Sequence, residues 1–168
     1  MFCWMHEGEA ARPDIMAIGK SVSGGYAPVA GILAHNTLME LMESGSHGST
    51  FGGCPISSAI GYASLVAIEQ EDLVRQAQDK GAYVYERLLA IAEKSPRIET
   101  VRGRGLMFGI EVTKQDPDAN KFSKKLLKLG AVIKGTHRWV LRFTPPIVST
   151  REDLDHVLGL IEQAFATA

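Results

Sequence analysis

Before residue 54 the sequence offers two short strand-like runs, Asp14 to Ile18 and Val29 to Ala34, too few to close a hydrophobic core of their own. Between them lies the Gly24-Gly25-Tyr26-Ala27-Pro28 turn. Asn36 or Thr37 can cap a short helix through Met42, and a Gly- and Ser-dense loop runs from Ser44 to Gly53. Pro55 suits the first turn of a helix. That helix, Ile56 to Ile68, is apolar nearly all round and is expected to be buried. After Glu69-Gln70-Glu71-Asp72 a second helix carries Leu73, Ala77, Val84, Leu88 and Ile91 on one stripe, and Pro96 ends it.

The rest changes character. Ile98 to Arg102 and Leu106 to Val112 read as strands about the Gly103-Arg104-Gly105 turn. Asn120 to Leu129 reads as a helix with Gly130 as its C-cap, and Val132 to Lys134 and Trp139 to Phe143 as further strands. Thr150-Arg151-Glu152-Asp153 is a capping-box pattern that opens a last helix with Leu154, Val157, Leu158, Ile161 and Phe165 as its buried stripe. This half reads as a compact α+β unit. The expected boundary falls near Ser95, dividing the chain into 1–95 and 96–168.

Composition excludes several classes. With 168 residues there is room for one domain, or one domain and a piece of another. A net charge of −1 gives no reason to expect nucleic acid or an acidic membrane surface as a partner. Cys3 and Cys54 are too few and too far apart for a disulfide framework, and no HExxH or paired-Cys spacing suggests a metal. The longest apolar stretch, around Ala59 to Ile68, is too short to span a bilayer. The start lacks the positive region of a signal peptide, so a cytoplasmic, reducing compartment is the expectation. Phe2, Cys3, Trp4 and Met5 come with no polar lead-in, and read like the middle of an element rather than a terminus.

Four features bear on chemistry. Lys20 ends an apolar run (Asp14-Ile15-Met16-Ala17-Ile18-Gly19) and is followed by small residues and glycines. An amine there can lose its hydration, which favours the neutral form, and a neutral amine can form a Schiff base with an aldehyde cofactor. A surface lysine at a strand end is the competing reading. Gly19-Lys20-Ser21 is not a P-loop, because Asp14 stands where glycine is needed and a strand replaces the loop. In Gly48-Ser49-Thr50-Phe51-Gly52-Gly53, adjacent hydroxyls flanked by glycines suit a phosphate or carboxylate, unless the loop is simply flexible. Gly103 to Gly109 departs from a dinucleotide fingerprint and reads better as a tight turn. In Trp139 to Pro146, alternation sets Trp139, Leu141 and Phe143 against Val140, Arg142 and Thr144. The two prolines make Arg142 a rigidly held candidate for carboxylate binding, with a structural ion pair as the alternative.

The ordered strings PDIMAIGKSVSGG, GSHGSTFGG, VRGRGLMFGIEV and LRFTPPIV, spread over nearly the whole chain from His6, resemble the C-terminal part of a class III aminotransferase that uses pyridoxal 5'-phosphate. Lys134-Gly135-Thr136-His137 with the Pro145-Pro146 doublet looks most like the ornithine-specific branch. The resemblance implies an α/β fold: the end of the large, cofactor-binding domain of a fold type I transferase (1–95), then a small α+β C-terminal domain (96–168). It implies that Lys20 is the Schiff-base lysine and proton carrier, and that Thr50 with Ser49 binds the cofactor phosphate across a homodimer interface. It implies that Arg142 holds a carboxylate of 2-oxoglutarate, the acceptor of ornithine's δ-amino group. A class III enzyme for acetylornithine, 4-aminobutyrate or another ω-amine is the alternative, as is a non-catalytic fragment or a site-completing subunit. Cys54 stands where the family usually has asparagine, and the Glu9 to Arg12 spacer looks longer than usual. The family's upstream portion carries the aspartate on the pyridine nitrogen, the phosphate-gripping loop and the stacking aromatic ring. The chain without it is expected to have little activity of its own.

Overall fold

Strand-forming residues run out after Ala34 and return at Ile98, and the chain folds into two units accordingly. The computed structural model describes residues 2–114 and 118–166. The units are 1–72 and 73–168. The long helix therefore belongs with the second unit, upstream of the Ser95 boundary suggested by sequence, because its apolar stripe is buried in the second unit's core.

In the first unit, α1 (Trp4–Glu7) precedes β1 (Ile15–Ile18), which pairs antiparallel with β2 (Gly31–Ala34). A single 3-10 turn, Lys20–Ser23, follows β1. The Ser23 hydroxyl, 1% exposed, donates to the Ala27 carbonyl and accepts from the Ala27 N–H at 3.3 Å. Gly24 and Gly25 between them take φ of +62° and +89°, the left-handed region where glycine is cheapest. α2 (Asn36–Met39) is shorter than expected, and Asn36 is its first residue rather than a side-chain cap. α3 (Pro55–Gln70) begins at Pro55 as the sequence suggests. Its burial differs. Gly61, against Val29, is its one fully buried residue, while Ile56 and Tyr62 are 73% and 72% exposed. Apolarity alone does not bury a helix; a facing layer is needed, and a two-stranded ribbon does not supply one.

The second unit holds the core. α4 (Leu73–Lys94) buries Leu73, Val84, Leu88 and Ile91, with Gly81 in the same stripe and Ala77 half-buried. β3 (Ile98–Arg104) and β4 (Met107–Val112) form a hairpin in which β3 runs two residues further into the turn than expected and β4 begins one residue later. α5 (Ala119–Lys128) starts at Asp118, whose carboxylate accepts from the Asn120 N–H at 2.9 Å. It ends as predicted at Gly130 (φ +96°): Ala131 N–H bonds to Leu126 C=O and Gly130 N–H to Leu127 C=O, a Schellman motif. The next strand, β5, pairs over Lys134–Thr136 instead of Val132 to Lys134. Ala131 and Ile133 are tucked into the core and Val132 is 88% exposed, so this stretch still serves the helix exit. β6 (Val140–Phe143) lies between β4 and β5, giving a four-stranded antiparallel sheet in the order β3-β4-β6-β5.

α6 (Arg151–Ala166) closes the unit, and its capping box is present: Asp153 N–H donates to Thr150 Oγ1 at 3.2 Å and Thr150 N–H to the Asp153 carboxylate at 2.9 Å. Leu154, Leu158, Ile161 and Phe165 are buried as the stripe predicts, with Val157 partly so. Phe108, Ile110, Val112, Leu141 and Phe143 line the sheet's inner face, and Phe122 stacks on Phe165 at 4.4 Å. Each such side chain contributes about 1.5–3 kcal/mol by leaving water. The alternation along β4 and β6 turns the intervening side chains to the opposite face, where Arg142 of β6 and Arg102 of β3 are exposed.

Candidate functional site

β1 ends at Ile18, and the chain turns sharply at Lys20, whose φ is +53°. A long side chain in the left-handed region is uncommon, and such strain persists where surroundings enforce it, often at functional positions. The Ser23–Ala27 staple and the paired glycines provide that enforcement. The sequence predicts a desolvated Lys20; in this chain it is exposed, and none of the described residues of the first unit covers it.

Lys20 and Ser49 line one cavity of about 480 Å³, together with Cys54, Ser57 and Ser58 at the start of α3. Ser49 is positioned by a turn in which its carbonyl accepts from Gly52 N–H at 3.3 Å. A Cβ on Gly52 would lie 3.0 Å from the Ser49 Cβ, so glycine is what permits this turn to close. Gly53 (φ +71°) then redirects the chain into α3. Thr50 is exposed on the same loop and does not line the cavity.

The start of α3 favours negative charge. The first backbone N–H groups of a helix have no internal partner, and the helix dipole adds to them. Their effect is visible at Cys54, where the Ser57 N–H, then the Ile56 N–H and the Ser57 hydroxyl, hold the thiol below its ordinary value. Cys54 and the two serines escaped the sequence reading as site residues; Pro55 at the helix start was the signal that could have located them. An amine, the Ser57 and Ser58 hydroxyls and a helix N-terminus around one cavity form a donor set that fits an anionic aldehyde cofactor.

Arg142 belongs to the second unit, on the exposed face of β6. Its register partners are Gly109 on β4 and Lys134 on β5. It makes no ion pair among the described residues, so the structural alternative for this arginine is not realised within them. Among the described residues no group of three His, Cys, Asp or Glu side chains is placed to hold a metal. None of the helices described is long and apolar enough to cross a membrane.

Comparison with known proteins gives a consistent result. The family model for class III aminotransferases matches residues 1–165. Ornithine aminotransferase 1 of Staphylococcus aureus (strain MRSA252) is 38% identical over 159 residues, covering 95% of this chain and 39% of that enzyme. Ornithine aminotransferase of Exiguobacterium sp. is 39% identical over 162 residues, again covering 39% of that enzyme. Among solved structures, the Toxoplasma gondii ornithine aminotransferase superposes with a TM-score of 0.87 at 35% identity, over 92% of this chain and 36% of that one. The Elizabethkingia anophelis acetylornithine aminotransferase does so with 0.90 at 35% identity, over 98% and 43%. The chain thus spans about 39% of the length of the curated relatives it matches.

Proposed function

Because the chain belongs to the class III aminotransferases, a pyridoxal-phosphate-dependent family of fold type I, we propose that it is the C-terminal portion of an ornithine-type enzyme. In this reading the amino donor is ornithine, the acceptor 2-oxoglutarate and the working assembly a cytoplasmic homodimer. In this reading residues 1–95 are the end of the large cofactor-binding domain with its linking helices and 96–168 the small domain; the compact units divide at Asp72, so the second unit also takes in the linking helix α4.

The observation that carries this is Lys20, held at positive φ at the end of β1 in a cavity that the start of α3 also lines. When bound, pyridoxal 5'-phosphate supplies an electron sink for the carbon that bears the transferred amine. Lys20 Nζ would be the nucleophile toward the cofactor's aldehyde carbon, and afterwards would carry the proton from the substrate's amine-bearing carbon to the cofactor. Ser49 and Thr50 donate hydroxyl hydrogen bonds to the phosphate, each contributing roughly 1.5–3 kcal/mol; the family resemblance assigns them to the partner copy's cofactor. Arg142 holds the oxo acid's carboxylate. An exposed Lys20 leaves water at the reacting amine, so the chain alone is expected to turn over ornithine slowly or not at all.

The test incubates the full chain with pyridoxal phosphate, reduces with borohydride and maps the label by peptide mass spectrometry. Label concentrated on Lys20 and lost in Lys20→Arg supports the reading; label spread evenly over surface lysines sinks it. The acetylornithine enzyme is the second reading, favoured by the fuller coverage of this chain in that structural match. Relative rates with ornithine, N-acetylornithine and 4-aminobutyrate separate them, once the DNA upstream of Met1 is read and any in-frame continuation is supplied. If no continuation exists, a site-completing partner polypeptide becomes the reading to pursue.

A further inference from the structure

The net charge of −1 conceals an uneven division. Residues 1–72 hold two Lys or Arg against eight Asp or Glu, and residues 73–168 hold sixteen against eleven, so the two units carry −6 and +5. A chain split this way points to an anionic partner for its basic unit. On α4 and α6 the charges are mixed and paired: Arg87 and Arg151 share Asp155, and Lys94 meets Glu162 at 2.9 Å. α5 differs. Its Lys121, Lys124, Lys125 and Lys128 stand at spacings of three and four residues, where like charges repel and weaken a helix. Lys125 and Lys128, in the last turn, suit the helix dipole, but Lys121 in the first turn opposes it, and no acidic side chain occupies that turn.

Lys125 is engaged, its Nζ donating to the Ala164 carbonyl at 2.7 Å. Lys121, Lys124 and Lys128 are exposed and have no ion pair among the described residues. At about 3.6 residues per turn these three fall within an arc of about 60° and span about 10 Å of helix. Apolar side chains adjoin them. Leu127, three residues from Lys124, is 60% exposed, and Val132, just past the helix end, is 88% exposed. α5 itself is anchored through Phe122 and Leu126 in the core, on the other side of the sheet from the exposed Arg142. The lysine stripe is therefore separate from the groups proposed to hold cofactor and substrate.

We propose that the outer face of α5 docks the chain on an acidic phospholipid surface, with Lys121, Lys124 and Lys128 over the headgroups and Leu127 as a shallow anchor. A cluster of lysines on an amphipathic helix is drawn to anionic headgroups, and an exposed leucine beside it gains by entering the boundary between headgroups and acyl chains. Nucleic acid fits this face less well. A phosphate backbone gives Leu127 nothing to bury against, and single strands are held by stacking on aromatic rings, which this arc of α5 lacks. Acidic headgroups also relieve the repulsion among the lysines that folding leaves unanswered. With three free lysines the attachment is weak and reversible, and it fades as added salt shortens the range of the attraction from about 10 Å at 0.1 M to about 3 Å at 1 M.

The experiment sediments the full chain with phosphatidylcholine vesicles containing phosphatidylserine, and with phosphatidylcholine alone, at low and high salt. Unfolding midpoints are measured in parallel. Partition onto the acidic vesicles is expected at low salt and its loss at high salt. Lys121→Gln, Lys124→Gln and Lys128→Gln should each lower the partition about fivefold, and the three together about a hundredfold. Leu127→Gln should weaken it as well. Lys94→Gln, the same charge change on α4, should leave it unaltered, and the midpoints of the α5 variants should not fall. Equal partition onto the two vesicle types would trace adhesion to the exposed apolar residues of the first unit and overturn the proposal. Equal losses from Lys94→Gln and Lys124→Gln would reduce the effect to overall charge and overturn it too. No partition onto acidic vesicles also overturns it, and if poly(U) RNA is then retained by the parent but not by the triple variant, the face belongs to nucleic acid.

Discussion

Gly81 lies in the buried stripe of α4, where a helix former would be expected, and the structure shows why glycine is there instead. A Cβ built on it would stand 2.2 Å from the Gly105 carbonyl oxygen, 2.6 Å from its carbon and 2.8 Å from its Cα. All three atoms are backbone, in a turn whose φ of +55° already restricts it, so no side chain can swing aside. In Gly81→Ala two effects oppose. Alanine is favoured over glycine in a helix interior by about 1 kcal/mol. To restore ordinary contact, however, the helix and the β3–β4 turn must separate by about 1 Å, and forced overpacking typically costs 1–3 kcal/mol, occasionally more. The clash is with backbone, so the upper part of that range applies and the net effect is a loss of about 1–2 kcal/mol. With a urea dependence of about 1–3 kcal/mol per molar, the midpoint should fall by roughly 0.5–1 M. The assay is urea unfolding followed by Trp139 fluorescence in a Trp4→Phe background, which reports the second unit. Gly159→Ala is the control: it sits in α6 with nothing within 4 Å of a built Cβ, so only the propensity gain applies and the midpoint should rise. A Gly81→Ala midpoint equal to or above that of the parent would refute the close-approach argument.

Two further predictions concern groups with shifted titration. Thr150 N–H, followed by the Thr150 hydroxyl, holds the Asp153 carboxyl below its ordinary value of 3.8. A depressed native value contributes stability that is present above the unfolded value and disappears as pH falls through the native one. The stability difference between the parent and Asp153→Asn should therefore be flat above about pH 5 and shrink on acidification below pH 4; a difference still undiminished at about pH 2 would count against the capping box as its source. The Cys54 thiol is held low by the Ser57 and Ile56 N–H groups. Near neutral pH it should thus be alkylated by iodoacetamide faster than a cysteine without such partners, and Ser57→Pro, which removes the leading donor, should slow it. Equal rates in the two proteins, read by mass spectrometry, would dismiss the helix start as the cause.

The second unit was largely legible because its signals were local and mutually consistent. The Leu154 to Phe165 stripe, the Thr150–Asp153 box and Gly130 each name a helix feature that the fold then uses. Alternation from Trp139 to Phe143 gave the correct faces, with Leu141 and Phe143 buried and Arg142 in solvent. What failed depended on partners outside the stretch itself. Val132 to Lys134 has strand-forming residues, yet pairing begins at Lys134, because the preceding residues are consumed by the Schellman exit of α5 and by the Ser123 hydroxyl, which donates to Ile133 C=O at 2.5 Å. The row of Arg102, Arg142 and Lys134 on the exposed sheet face is invisible in one dimension for the same reason: the three share a line through strand register alone.

The exposure of α3 and that of Lys20 have one physical origin, and it bears on catalysis. Among the described residues, no large apolar side chain of the first unit is fully buried. The strained turn at Lys20 is therefore held by hydrogen bonds, chiefly through Ser23, and by two glycines, rather than by packing. Intramolecular hydrogen bonds contribute only about 0.5–1.5 kcal/mol each on balance. That is comparable to the cost of a single left-handed residue, about 1–3 kcal/mol, so the turn is only marginally fixed. A layer packed on the apolar flank of α3 and on Ile15 and Ile32 would bury their surface and stiffen the Lys20 turn. If it also covered the ribbon's end, it would take water from the Lys20 amine, favouring the neutral nucleophile. In the proposed function, one missing layer therefore accounts both for the unexpected exposure of α3 and for the low activity expected of this chain alone.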